Sequence, residues 1–346
     1  MANIKDIAKR VGVSTATVSH VINKTRFVSE ELIAKVLKGI QELNYQPNAI
    51  ARSLVKKRTH TIGIIISDIL NPFYTAIVRG IEDVTHKGGY NVMLCNTDED
   101  PEKEKLYIQV LLEKRIDGLA ISTAFQDGAH PFLAQLRMIP LVNIVRKIKG
   151  LAADAVVGDN IGGAYKAIEH LIKLGHRRIG IISGPSGLSS GAERLKGCKK
   201  AFEDHRITID DSLIKFGDFK KESGYYLTKE ILQRSDSPTA IFVTNNQMTI
   251  GALSALNELK MRIPEDISLI SFDDMEWYSF LNPPITTVEH PPYLMGKTAG
   301  EMLIQKISKK RKKPKKVLFQ SNLIIRKSTS PVSKERGVPD FLQKNL

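Results

Sequence analysis

Asn3-Ile4-Lys5-Asp6-Ile7-Ala8-Lys9-Arg10-Val11-Gly12-Val13-Ser14-Thr15-Ala16-Thr17-Val18-Ser19-His20-Val21-Ile22-Asn23 is the stretch whose reading decides the fold. Ile4, Ile7, Ala8 and Val11 recur at the i, i+3, i+4, i+7 spacing of one helical face. Asn3, with Asp6 three residues on, has the form of an N-terminal capping box. Gly12 supplies the positive φ that ends such a helix. Ser14 then caps a second helix that turns Val18, Val21 and Ile22 inward and Thr15, Thr17, Ser19, His20 and Asn23 outward. Two short helices about a glycine turn, the second with a row of small hydrogen-bonding side chains, make a helix-turn-helix whose second helix fits a major groove.

Charge points the same way. The 346-residue chain has a formal net charge of +14, and it sits at the ends. Residues 1–60 hold eleven Lys or Arg against four acids, residues 305–346 hold thirteen against two, and residues 61–304 are left at −4. A basic small segment beside a mildly acidic large one places phosphate contact in the N-terminal part, where counterion release supplies sequence-independent affinity. The length suits one small domain and one large two-lobed domain. No apolar run has signal-peptide length or approaches the ~20 residues of a membrane span, so a cytoplasmic protein without a membrane partner is expected. Cys95 and Cys198 are too few for a disulfide framework and lack metal-ligand spacing, and they read as small core residues.

After the second helix, Lys24 and Arg26 lie in a loop where phosphates should run. Ser29 reads as the cap of a third helix whose stripe Leu32, Ile33, Val36, Leu37, Ile40 and Leu43 covers the first two. Pro47 closes the domain. Asn48 to Val55 reads as a brief helix, below the ~12 residues at which an isolated helix is even marginal in water, so it needs DNA and a second copy of itself to form. Leu54 beside Arg52, Lys56, Lys57 and Arg58 suits minor-groove entry by an apolar wedge. The simpler alternative is a linker whose Leu54 packs on the large domain.

From Thr61 the pattern becomes short apolar runs alternating with amphipathic segments. Strands are expected near Thr61–Ser67, Asn91–Cys95, Ile116–Ser122, Pro140–Val145, Ala155–Gly158, Arg178–Ser183, Ile214–Phe216, Ala240–Val243 and Ser268–Phe272, with late ones near Thr286, Val317 and Leu323. This is a parallel α/β architecture in two similar lobes, one opened by Ile62-Gly63-Ile64-Ile65-Ile66 and the other by Ile179-Gly180-Ile181-Ile182. Ligands of such sheets bind past the carboxyl ends of the strands. Asn71, Phe73, Tyr74, Arg146, Arg194, Phe219, Asn245, Asn246 and Asp273 all fall there. If the lobes face each other, aromatic faces flanked by Asn, Arg and Asp form a small polar pocket. Any one of these residues alone is more often structural; their shared location is what singles them out.

A hydrolase is the enzymatic alternative, because Gly187-Leu188-Ser189-Ser190-Gly191 matches G-x-S-x-G, with Asp273 and His290 following in hydrolase order. An elbow needs the strand to run straight into the turn, and Ser183-Gly184-Pro185-Ser186 intervene. Asp273 and Asp274 are adjacent along a strand and point to opposite faces, so they form no carboxylate dyad. There is no Walker A sequence, no H-E-x-x-H and no Cys/His cluster, so no cofactor and no metal is expected. Ser308 to Lys316 resembles a nucleic-acid or localisation tract and reads as a surface turn between the helix Met295–Ile307 and the strand at Val317. Beyond Ser330 the sequence reads as a flexible tail.

Up to about Ser330 the chain resembles the lactose repressor (LacI) family. Ile4-Lys5-Asp6-Ile7-Ala8, Val13 through Asn23, and Asn44-Tyr45-Gln46-Pro47-Asn48-Ala49-Ile50-Ala51-Arg52-Ser53-Leu54 are similar to the family's DNA-binding signature. His20 and Asn23-Lys24-Thr25-Arg26-Phe27-Val28 point to its purine and ribose repressor branch. Thr59-His60-Thr61-Ile62-Gly63, Asn71-Pro72-Phe73-Tyr74 and Leu94-Cys95-Asn96-Thr97 are similar to ribose repressors. The resemblance implies an all-α helix-turn-helix domain (1–46), a hinge helix and linker (47–60), a two-lobed α/β domain like a type I periplasmic binding protein (61–330), with three chain crossings between lobes, and a tail (331–346). It implies a homodimer on a palindromic operator, contacted by Lys5, Ser14, Thr15, Thr17, His20, Asn23 and Arg26, with Arg52 and Leu54 at the central minor-groove step. Asn71, Phe73, Tyr74, Arg146, Arg194, Phe219, Asn245, Asp273 and His290 would face the effector.

Two positions depart from the family pattern: Val145 and Asn246 stand where its sugar binders often carry Asp, removing bidentate acceptors for hydroxyls. The expectation is a repressor of sugar-utilisation genes, without catalytic activity, controlled by a sugar such as ribose. A purine-responsive, co-repressor-dependent regulator is the alternative within the family. A sugar-binding transport protein, which needs a signal peptide, and the hydrolase lie outside it.

Overall fold

The computed structural model describes residues 2–23, 26–45, 58–126, 130–234, 236–310 and 313–332. The chain divides into two compact units, Met1–Thr59 and His60–Leu346.

In the first unit, α1 (Ile4–Val11) begins on the expected box. Asn3 Oδ1 accepts from the Lys5 and Asp6 amides at 2.8 and 3.3 Å, and Asp6 Oδ2 accepts from the Asn3 amide at 2.8 Å. Gly12, at φ 74°, ends the helix with its N–H on the Ala8 carbonyl. α2 (Thr15–Asn23) is capped by Ser14 Oγ, which accepts from the Thr17 amide at 3.1 Å. α3 (Glu30–Glu42) closes a core of Ile7, Ala8, Val18, Val21 and Val36.

Two readings of α3 are corrected. Ser29 occupies the N-cap position but its side chain accepts no hydrogen bond, and the acids that suit the positive end of the helix are Glu30 and Glu31. Leu37 is 51% exposed. The buried line runs Ile33, Val36, Ile40 and Leu43, and one residue past Val36 the helix has turned ~100° away from α1 and α2. Gly39 is where α3 approaches α1: a Cβ there would meet Val11 Cγ2 at 2.6 Å. The brief helix expected over Asn48–Val55, with Arg52 and Leu54, lies outside the described residues, as does the tail beyond 332.

The second unit has two six-stranded sheets of the same topology, in the orders β11-β5-β4-β3-β1-β2 and β12-β10-β9-β8-β6-β7. The first contains β1 (Thr61–Ile66), β2 (Asn91–Asn96), β3 (Gly118–Ile121), β4 (Leu141–Ile144), β5 (Asp154–Gly158) and β11 (Lys316–Phe319); the second contains β6 (Ile179–Ser183), β7 (Ile214–Phe216), β8 (Ala240–Val243), β9 (Ser268–Phe272), β10 (Thr286–Glu289) and β12 (Asn322–Ile324). All recorded pairings are parallel except β10 with β12. Helices cover both faces, which is why strands such as Ile62–Ile66 are apolar throughout.

The helices are α4 (Pro72–Lys87), α5 (Pro101–Glu113), α6 (Leu133–Leu136), α7 (Asn160–Lys173), α8 (Ser189–Asp204), α9 (Lys221–Leu232), α10 (Asn246–Glu258) and α11 (Pro292–Ile307). The four-residue α6 had no sequence signal. The chain passes between lobes after β5, after β10 and between β11 and β12. No helix among the described residues is long and apolar enough to cross a membrane.

Candidate functional site

The outward face of α2 is smaller than its residue list suggests. Lys5, Thr15 and Arg26 are exposed, whereas Thr17, Ser19, His20 and Asn23 are half-buried. The Ser14 hydroxyl is taken up by capping and by a 2.9 Å contact with Thr17 Oγ1. Asn23 donates to the Ser19 carbonyl at 2.9 Å and its hydroxyl at 3.2 Å, so its amide N–H groups are occupied within the helix.

In the second unit, a cavity at the strand ends is walled by Asn71, Phe73, Tyr74, Arg146, Arg194, Phe219, Asn245 and Asp273, together with Asp68, Asp98, Glu99, Val145, Ser190 and Lys220. Eight of the nine expected effector residues are therefore brought together. The exception is His290, which sits behind Asp273. The cavity measures about 30 Å³, room for roughly one water. In this closed arrangement the two lobes touch through an amide pair: Asn71 Nδ2 donates to Asn246 Oδ1 at 3.0 Å, and Asn246 Nδ2 donates back to Asn71 Oδ1 at 2.9 Å. Asn71 and Asn245 also cap α4 and α10, each accepting from a backbone amide at 3.0 Å.

Backbone strain is concentrated here. Asp98, Glu99, Val145, Phe219 and Asp273 have φ between 56° and 68°. Such conformations cost about 1–3 kcal/mol each and gather at functional sites. At 145, 219 and 273 they turn the chain just past a strand end so that the side chain meets the cleft. Phe219 lies directly over Gly184, where a Cβ would meet the ring at 2.0 Å.

Arg146 is held tightly. Its Nη1 and Nη2 reach the two Glu99 oxygens at 2.5 and 2.7 Å, and further bonds go to Ser67 Oγ, the Thr123 carbonyl and, across the cleft, Ser190 Oγ. Its guanidinium lies 5.0 Å from the Phe219 ring centre. Burial opposes the charge, but Glu99 outweighs it and holds the pKa above the usual arginine value. Burial likewise raises the Tyr74 phenol, which pairs with Ser122 Oγ at 3.0 Å.

Arg194 is held differently. It donates to Asn160 Oδ1 at 3.0 Å and to the Thr244 carbonyl at 2.5 Å, stacks 3.7 Å over Phe272, and reaches Asp273 Oδ2 at only 3.4 Å. Burial pulls its pKa down against the pull of Asp273. For Asp273, burial pushes upward, and Arg194 with His290 more than offsets it, leaving the carboxyl below its ordinary range. Asp273 Oδ1 is buried with no hydrogen-bond partner.

His290 belongs to the crossovers. Ser321 Oγ donates to the Asp159 carbonyl at 2.7 Å, and with that proton spent it accepts from His290 Nε2 at 2.6 Å. Nδ1 therefore faces Asp273 Oδ1, 3.8 Å away. The imidazole occupies the space over Gly158, where a Cβ would meet Nε2 at 2.2 Å. Asp159, His290 and Ser321 stand on the three crossing segments, so this contact clasps them. The hydrolase constellation is not assembled: Ser189 Oγ accepts from the Lys147 amide at 3.3 Å, and the serine paired with His290 is the fully buried Ser321.

The strand-end rule applied to β2 would have found Asp98 and Glu99, which follow its last residue Asn96 by two and three positions. Ser190 was hidden inside the G-x-S-x-G match.

Residues 3–48 match the family model for bacterial regulatory proteins of the lacI family, and residues 168–329 match the periplasmic binding protein-like domain. The HTH-type transcriptional repressor PurR of Proteus mirabilis is 39% identical over 332 residues, covering 95% of this chain and 97% of that protein. The lac repressor dimer bound to operator and the anti-inducer ONPF superposes with a TM-score of 0.82 at 29% identity, covering 95% of this chain and 99% of that one. A LacI family regulator from Enterococcus faecium with bound ribose gives a TM-score of 0.69 at 29% identity, covering 79% and 100%.

Proposed function

The chain belongs to the LacI family of bacterial transcriptional regulators, and on that premise we propose that its effector is a small neutral polyhydroxylated molecule of pentose size, ribose first among them. As a member of that family it is a repressor whose DNA binding is under effector control, and it is not an enzyme. The match at residues 3–48 sets aside the transport reading. A regulator of this kind works in the cytoplasm as a dimer on a palindromic operator. We assign 1–46 to DNA reading, 47–60 to the hinge, 61–330 to effector binding and dimerisation, and 331–346 to a tail.

The Asp273 carboxylate carries the effector reading: it lines the cavity, and Arg194 at 3.4 Å and His290 at 3.8 Å leave it loosely held, so a ligand O–H or N–H adds the strong hydrogen bond it lacks. Each cation in the wall already faces a carboxylate, Lys220 Nζ lying 3.7 Å from Asp98, so the site has no spare positive charge for a phosphate. Neutral hydroxyls satisfy Asp273, Asn71 and Asn245 while C–H faces lie against Phe73 and Phe219. The small closed cavity requires the lobes to part for entry. Their movement then shifts the spacing of the two hinge segments, where Leu54 acts as the wedge, and Lys5, Ser14, Thr15, Thr17, His20, Asn23, Arg26 and Arg52 hold the operator.

A purine is the second reading, favoured by the two phenylalanine faces and by relatives named PurR. Anisotropy of a labelled palindromic duplex with a central C-G step separates the two. Release by ribose, absent with ribose 5-phosphate and lost in Asp273→Asn, supports the sugar. Tightening by hypoxanthine or guanine, with no response to any pentose, replaces it with the purine.

A further inference from the structure

Glu104 is the fourth residue of α5, and it is fully buried. Attraction to the positive end of the helix accounts for an acid in this first turn, and Glu102, exposed and 2.6 Å from Lys105 Nζ, is used in that way. It does not account for Glu104. The Glu104 carboxylate is turned into the segment that follows β3 and takes three donors there. Thr123 Oγ1 donates to Oε1 at 2.9 Å, His130 Nε2 donates to Oε1 at 3.0 Å, and the Ala124 amide donates to Oε2 at 2.5 Å.

The donors are committed as well. The Phe132 amide donates to His130 Nδ1 at 3.2 Å, so Nε2 carries the proton that Glu104 accepts. Thr123 Oγ1 accepts from the Phe125 amide at 3.0 Å and gives its own proton to Glu104. Both oxygens of residue 104 must therefore accept, which a carboxylate does. A carboxamide would set its N–H groups against one pair of donors or the other.

This carboxylate stands directly behind the cavity wall. Ser122 is pinned to the sheet by its amide on the Ile65 carbonyl at 2.9 Å. Thr123 and Ala124 have left the strand, and Glu104 holds them from below. The Thr123 carbonyl in turn accepts from Arg146 Nη1 at 3.2 Å, and Arg146 Nε reaches Ser190 Oγ of the other lobe at 3.2 Å. Glu104 itself does not line the cavity.

We propose, on the reading that this cavity is the effector site, that Glu104 is a positioning residue for it. By fixing the Thr123 carbonyl, Glu104 sets where the Arg146 guanidinium stands between Glu99 and Ser190, and with it how the first lobe closes on the ligand.

The test uses the full chain and two variants, Glu104→Gln and Thr123→Val. The first readout needs no ligand: the arginine Nε–H resonances of isotope-labelled protein, with Arg146 and Arg194 identified by the signals lost in Arg146→Lys and Arg194→Lys. In Glu104→Gln the Arg146 signal should shift and its exchange with solvent should quicken about 10-fold, the weight of one hydrogen bond to a charged group. The Arg194 signal should stay in place. Thr123→Val keeps the charge and the Ala124 bond and should move the Arg146 signal less. The second readout is the calorimetric affinity for ribose, expected to fall about 10-fold in Glu104→Gln and by less in Thr123→Val. An unmoved Arg146 signal in folded Glu104→Gln overturns the proposal, and so do equal shifts at Arg146 and Arg194, which describe general loosening. Should Glu104→Gln not fold, an Arg146 signal in Thr123→Val identical to the parent's overturns it. A parent protein that binds no ribose removes the sugar reading and leaves the arginine signals to decide the role of Glu104.

Discussion

Each lobe brings one arginine to the cleft, and the two are treated differently. Arg146 of the first lobe has both Glu99 oxygens within 2.7 Å and three further partners. Arg194 of the second lobe meets one Asp273 oxygen at 3.4 Å, while the other makes no hydrogen bond and has His290 Nδ1 3.8 Å away. The first lobe's cation is neutralised before any ligand arrives, and the second lobe's anion is held only by long contacts to Arg194 and His290. A ligand therefore finds its strongest unfilled acceptor in the second lobe, and the first lobe mainly supplies aromatic faces and closure.

Asp273→Ala should break this contrast most severely. It leaves Arg194 buried without its counter-charge, at about 3–5 kcal/mol of stability, and abolishes the effector response. Denaturant unfolding and operator release in the presence of ribose measure the two effects. The same carboxylate sets a pH dependence. Its folded pKa lies below the unfolded value, so its contribution is full above the ordinary carboxylate range and is lost as pH falls through the folded pKa. Unfolding curves of Asp273→Asn should be flatter with pH in that acid range, and a parallel fall would show that other carboxylates dominate.

Glu99→Gln sharpens the comparison from the other side. Arg146 keeps Ser67, Thr123 and Ser190, so the expected stability loss is smaller, about 2 kcal/mol, with ribose affinity changed less than by Asp273→Asn. A larger effect on ribose than that of Asp273→Asn would invert the assignment of roles. Gly158→Ala pushes the His290 ring out of the crossover clasp and should cost about 1–2 kcal/mol by overpacking. Loss of effector-driven operator release with ribose affinity retained would place the clasp in the coupling. The smallest effect belongs to the amide pair across the cleft. A double-mutant cycle of Asn71→Ala and Asn246→Ala should give a coupling of about 0.5–1.5 kcal/mol, and additivity would mean the two lobes do not hold each other through it.

How much of this was legible follows from the range of the interactions. The capping box at Asn3 and Asp6, the glycine stop at Gly12 and the Ser14 cap all act within four residues, and sequence spacing exposes such contacts directly. The strands were legible because apolar runs bounded by polar turns have few alternatives. Leu37 misled because periodicity assigns a face without saying how wide the covering partner is, and Ser29 because a capping residue type in the capping position does not fix where its hydroxyl points. The pocket wall was reached through one topological rule, which was not carried to Glu99 after β2 or Lys220 after β7, while Ser190 sat inside a competing serine motif. His290 was placed in the wall by the family resemblance, whereas the crossing chain turns it toward Ser321.

By itself, the sequence determined a helix-turn-helix followed by two parallel α/β lobes, and it put Arg146, Arg194 and Asp273 at strand ends, because local hydrogen bonds and hydrophobic period suffice for both. Only the tertiary structure decided that Arg146 pairs with Glu99, that Asn71 meets Asn246 across 175 residues, and that Asp273 keeps one oxygen without a hydrogen bond. Those outcomes depend on the distance and angle at which two separately folded lobes meet, and no local pattern encodes that geometry.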